Sequence, residues 1–78
     1  MGMNNELDTV VLSHGIKEYG LKQGDIGAVV HVYQPDDAYE VEFVTGEGET
    51  VAVLTLTAND IRPMRKREIL HVRELVPA

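Results

Sequence analysis

Asp36, Asp37, Glu40 and Glu42 fall close together in the chain, and carboxylates gathered in one place can act as acid and base or hold a calcium ion. Neither chemistry is well supported here. The spacing lacks the Asp-x-Asp-x-Asp-Gly loop that wraps calcium, and acid–base work needs a cleft that shifts a pKa, which a chain of 78 residues hardly provides. A solvated acidic face is the simpler reading. The histidines His14, His31 and His71 are scattered, with no His-x-x-x-His or His-x-x-x-Glu pair to bring two ligands onto one helix face, so no metal site is expected. His31 reads as a partly exposed strand residue and His14 as part of a loop. Gly46-x-Gly48 is not a phosphate cradle, because that device works at a helix N-terminus, whereas Glu47 and Glu49 put negative charge between two strands. No Ser-His-Asp or Cys-His set has sequence support, and the chain reads as a non-enzyme without a cofactor.

What remains is binding, and charge bears on the partner. Residues 1–64 carry eleven acidic and three basic side chains, net −8, while residues 65–78 carry two acidic and four basic, net +2, which makes −6 for the whole. An acidic body repels phosphate backbones and suits a basic protein partner, although the same charge also serves simple solubility. With 44% hydrophobic and 26% charged residues the composition is that of one folded domain. There are no cysteines, so packing alone must stabilise it. No apolar run approaches the ~20 residues of a membrane span and no export signal is evident, so no membrane partner and a cytoplasmic location are expected. Met1-Gly2-Met3 reads as a second start or an added extension.

The elements that must position these side chains are strands. The chain is organised around Leu21 to Tyr33, where Gly24 and Gly27 are expected to frame a tight turn ahead of a valine-rich strand that begins near Asp25. Before it, Leu7 to Leu12 holds the β-branched Thr9, Val10 and Val11, and the segment from Ser13 to Gln23 reads as a loop carrying Tyr19. That tyrosine is either a binding anchor or a lid over the barrel end. Gln34-Pro35-Asp36-Asp37 makes a turn, and Ala38 to Val44 shows the clearest period of two, Tyr39, Val41 and Phe43 inward against Glu40 and Glu42 outward. A glycine-bearing hairpin at 45–49 leads to Thr50 to Leu56, then a short 3₁₀ turn at 57–60, then Ile61 to Met64, which Pro63 confines to an edge.

Five short strands in this order predict an all-β fold, a small five-stranded SH3-like barrel over 6–64, followed by a basic amphipathic tail over 65–78. In the tail Ile69, Val72, Leu75 and Val76 have helix-like spacing, so a short helix is expected there, or else a disordered tail. Such a stripe could also join two copies as a homodimer.

The stretch from Glu18 to Val30, with Ala38 to Phe43 and Ile61-Arg62-Pro63, resembles the small prokaryotic domain of unknown function numbered 4926, over about Asp8 to Met64. Its Gly-x-x-Gly-x-Val turn is more distantly similar to the KOW segments of transcription and ribosomal proteins and to the β-subunit barrel of nitrile hydratases. The resemblance implies the barrel and no catalytic residue; because some members sit beside candidate toxin genes, it hints at an antidote. The expectation is therefore a non-catalytic protein-interaction module, an antidote or accessory subunit, using Tyr19, Tyr33, Glu40 and Glu42 against a basic partner. The competing reading is a KOW-like RNA or DNA binding domain helped by Arg65, Lys66 and Arg67, which the few cations of the body disfavour.

Overall fold

The computed structural model describes residues 6–33 and 38–75, and within them the chain is all-β. Five strands, β1 (Thr9–Leu12), β2 (Ile26–Tyr33), β3 (Ala38–Val44), β4 (Thr50–Leu56) and β5 (Ile61–Pro63), form one sheet in the order β4-β3-β2-β1-β5, every pair antiparallel. The expected turn at Gln34 to Asp37 and the opening Met1 to Asn5 lie outside the described residues.

Alternation sets the inner face. On β3 Tyr39, Val41 and Phe43 are buried while Glu40 and Glu42 are only half-covered, as the period of two requires. They join Val10 and Leu12 of β1, Val29 of β2, Leu56 of β4 and Ile61 of β5 in one cluster, with Leu21 beside them. Laid flat, β4 and β5 would stand four strand spacings apart, about 19 Å. Leu56 and Ile61 nevertheless share a core, so the sheet curls strongly around it. It does not close: the strand number and class match the expected barrel, but β4 and β5 have no ladder between them. Past the turn at 57–60, where Asp60 N–H donates to the Thr57 carbonyl at 2.9 Å and Thr57 N–H to the Asp60 carboxylate at 2.9 Å, β5 pairs with β1 rather than with β4.

Two local expectations change. β1 starts at Thr9 because Leu7 sits at φ 71°, a left-handed conformation that no strand admits. Gly24 has the positive φ of a turn residue, 94°, but Gly27 lies inside β2 and serves a different purpose. A Cβ there would stand 2.7 Å from Val41 Cγ1 and 2.8 Å from Phe43 Cε1, so glycine is what lets β2 approach the ring. The broken alternation of β2 comes from a bulge between Val29 and His31, which leaves Val30 and His31 both exposed.

The tail forms no helix over residues 64–75. Ile69 and Val72 are 90% and 89% exposed, so the stripe finds no surface to bury, and a helix this short is marginal without one. Two ion pairs tie the segment to the rest of the chain. Arg62 grips Glu68 with both terminal nitrogens, at 2.9 and 2.6 Å, and Arg73 reaches back to the carboxylate of Asp25, with Nε at 2.9 Å, and to the Gly20 carbonyl at 2.8 Å. Neither the helical nor the disordered expectation describes residues 65–75, and Val76 lies outside the described residues.

Candidate functional site

The outer face of β2, β3 and β4 gathers three of the four residues that the sequence singles out. Register does this: His31 stands opposite Glu40, and Glu40 stands opposite Thr55, so a histidine, a carboxylate and a hydroxyl form one row across three strands. Tyr33 lies diagonally from Glu40, within the reach of an aromatic side chain on a pleated surface. Its hydroxyl donates to Glu40 Oε1 at 3.0 Å, and Thr55 Oγ1 donates to the same oxygen at 2.8 Å. Glu42 Oε2 accepts from Thr50 Oγ1 at 2.8 Å. The His31 ring packs edge-on against Tyr33 with centroids 4.6 Å apart, and its Nδ1 lies 3.7 Å from Glu6.

Electrostatics follow from these contacts. The bond to the Glu40 carboxylate, and then that carboxylate's negative charge, hold the Tyr33 phenol above its ordinary pKa, so it stays protonated and keeps donating. The donors fix the Glu40 carboxylate between Tyr33 of β2 and Thr55 of β4, and the Glu42 carboxylate towards Thr50 of β4. Around them Val30, Tyr33, Val44 and Val53 are exposed, between 40% and 51%. The face thus sets two oriented carboxylates among exposed apolar and aromatic side chains.

Tyr19 does not join it. It belongs to a 3₁₀ turn, Lys17–Tyr19, closed by Gly20 at φ 70° in the loop before β2, whereas Tyr33 ends that strand. Beside that loop the tail makes a second feature. His71, Val72 and Leu75 stand over Leu21, Phe43 and Val51 across an open cleft of about 440 Å³. Burial alone would raise the Asp25 pKa, but the bonds from Arg73 and from Lys22 N–H outweigh it and the carboxyl lies below its usual range. Asp25 and Arg73 therefore satisfy each other and leave the cleft little charge with which to orient a ligand. Among the described residues no group of three or more histidines and carboxylates converges as metal ligands.

A family model described as Domain of unknown function (DUF4926) matches residues 6–63. The chain belongs to this family. In this DUF4926 chain the matched residues span all five strands and the loop of Tyr19, while the tail from Met64 onward lies beyond them. Neither the curated proteins nor the solved structures contain a match to the chain.

Thr50, Thr55 and Arg73 were not foreseen as functional residues. The two threonines could have been found by counting the β3–β4 register outward from the 45–49 hairpin, since that places Thr55 opposite Glu40. Nothing local marks Arg73, whose partner is 48 residues away.

Proposed function

We propose that this DUF4926 chain is a non-catalytic protein-interaction module that binds a basic partner through the outer face of β2, β3 and β4, in the manner of an antidote or accessory subunit. One observation carries the reading: the Glu40 and Glu42 carboxylates are oriented as acceptors by Tyr33, Thr55 and Thr50 amid exposed apolar side chains. Oriented charge steers association and rejects wrong partners, and aromatic and aliphatic neighbours supply the area that holds. The nucleic-acid reading has less to rest on. Arg62 is committed to Glu68 and Arg73 to Asp25, which leaves Lys17, Lys22, Arg65, Lys66 and Arg67 for counterion release in a chain with 13 carboxylates.

Charge reversal tests the proposal. Glu40→Lys with Glu42→Lys should abolish capture, from the native host, of a partner that the parent protein captures, while the urea midpoint barely moves. Titration of RNA and DNA is the counterpart: salt-sensitive binding that strengthens on reversal would overturn the module and favour the alternative.

A further inference from the structure

The sheet has an unprotected edge beside that acidic face. β4 pairs only with β3, and its seven residues Thr-Val-Ala-Val-Leu-Thr-Leu contain no charge and no proline, in a chain of which 26% is charged. Natural edges are normally blunted by a charge, a proline, a short strand or a covering segment, because a bare row of N–H and C=O groups is a template for another strand. β4 has none of these among the described residues. Its side chains are also left incomplete on the side away from β3: Val51 and Leu54 are only partly buried against the core, and Val53 is 45% exposed.

We propose that β4 docks an extended, basic segment of the partner protein as a sixth strand. Apolar residues of that segment would cover Val51 and Leu54, and alternate lysines or arginines would meet Glu40 and Glu42 on the outer face. This deepens the acidic-face reading and rests on it. Geometry supplies the charge match. Thr50 of β4 draws the Glu42 carboxylate towards that strand, and the Glu40 carboxylate is held between Tyr33 of β2 and Thr55 of β4. An added strand would run about 4.8 Å beyond β4, a gap that a lysine or arginine stem spans.

The same placement argues against a second copy of this chain as the occupant. Two β4 strands paired about a two-fold axis would form one continuous outer face, with β3 and its mate about 14 Å apart. The Glu40 and Glu42 carboxylates would line both sides of that gap, the two Glu42 groups drawn into it by Thr50, at separations on the order of one to two Debye lengths of about 8 Å. Like charge opposes that dimer and favours a basic strand.

Fluorescence titration of the full chain with three labelled peptides separates the possibilities. One peptide alternates lysine and valine over the length of β4, the second is its fully N-methylated copy, and the third alternates glutamate and valine. The lysine peptide should bind, N-methylation should weaken it by about tenfold or more because the strand hydrogen bonds are lost, and the glutamate peptide should not bind. Glu40→Gln with Glu42→Gln should weaken the lysine peptide and flatten its salt dependence, at an unchanged urea midpoint. If the N-methylated peptide binds as well as its parent, the edge is not used and this proposal fails while the acidic-face reading stands. If the lysine and glutamate peptides behave alike, or the glutamine variant binds like the parent, both fail. A dimer of the chain alone in sedimentation, dissociated by Val53→Lys, would assign the edge to a second copy and also overturn the proposal.

Discussion

The two edges of the sheet are built differently. β5 is three residues long, ends in Pro63, which has no N–H to offer, and carries Arg62, whose guanidinium is held by Glu68 in the turn that follows. β4 is seven residues long, uncharged and without proline. One edge has length, backbone chemistry and charge all set against a further strand, and the other has nothing. Both contribute to the same core, through Ile61 and Leu56, so the contrast is not between a stable and an unstable side of the molecule. It separates an edge guarded against a further strand from one that is not.

The sharpest way to break that contrast is from beneath. Phe43→Ala should cost about 3 to 5 kcal/mol in urea unfolding, since the ring is nearly fully buried and supports the β3–β4 side. Glu42→Ala, one residue away on the outer face, should cost about 1 kcal/mol or less, the worth of its bond from Thr50. Equal losses would mean that inner and outer faces are misassigned, and with them the acidic surface. Gly27→Ala comes next, at about 1 to 3 kcal/mol, because the new methyl group would meet Val41 and Phe43 at contact distances that only movement can relieve. At the β4 edge itself the effect on stability should nearly vanish. Val53→Lys should change the unfolding free energy by about 0.5 kcal/mol or less, and its effect should instead be read in strand docking.

How much of this was legible in the sequence depended on how local the cause was. The bounds of β3 and β4 follow from alternation and a glycine-bearing turn, both written within a few residues, and they stand where the sequence puts them. Glu40 and Glu42 were correctly turned outward for the same reason. Glycine at 27 was misread because positive φ and close approach leave the same residue in the sequence, and only the ring of Phe43 across the ladder distinguishes them. The tail was misread because helical spacing predicts a helix only if the stripe has something to cover. It is tied instead by Arg62 with Glu68 and Arg73 with Asp25, side-chain pairs between distant positions that carry no periodic signal. Closure of the barrel failed for a comparable reason. Strand count is local information, but which strand each edge pairs with is a long-range matter, and β5 goes to β1 alone.

The tail offers an electrostatic check on the guarded side. Glu68 is held at a pKa of about 2, first by the guanidinium of Arg62 and then by Arg65 N–H, so it should remain ionised until strongly acid pH. Its folded pKa lies below the unfolded one, and its contribution is therefore present above ordinary carboxylate pH and lost as pH falls towards 2. Arg73→Gln should act on the other clamp. Without the guanidinium, burial dominates at Asp25 and its carboxyl pKa should rise, by NMR titration, while β4 is untouched. An unchanged Asp25 would show that the tail does not lie across the start of β2.

The smallest expected effect sits in the turn that joins the two edges. His14 Nε2 lies 2.7 Å from Asp60 Oδ1, which ties the loop after β1 to the residues between β4 and β5. The bond to Asp60, helped by the Gly15 carbonyl, raises the His14 pKa above its usual 6.5. Asp60 moves the other way, first because Thr57 N–H donates to it and then because of His14. The signs combine into a window. A raised histidine pKa gives stability that is complete below 6.5 and lost as pH climbs through the folded value, and a lowered aspartate pKa gives stability present above 3.8 and lost as pH falls through its own. Between those limits the bridge is fully formed, so unfolding midpoints should be slightly higher near pH 5 than near pH 8. Asp60→Asn removes the charge partner and weakens the turn together, whereas His14→Gln removes only the titrating ring. In NMR titration Asp60→Asn should bring the His14 pKa back towards 6.5, and His14→Gln should erase the midpoint difference between pH 5 and pH 8 with the sheet intact. A His14 pKa that ignores Asp60→Asn would mean that the link between the two edges is not made through this pair.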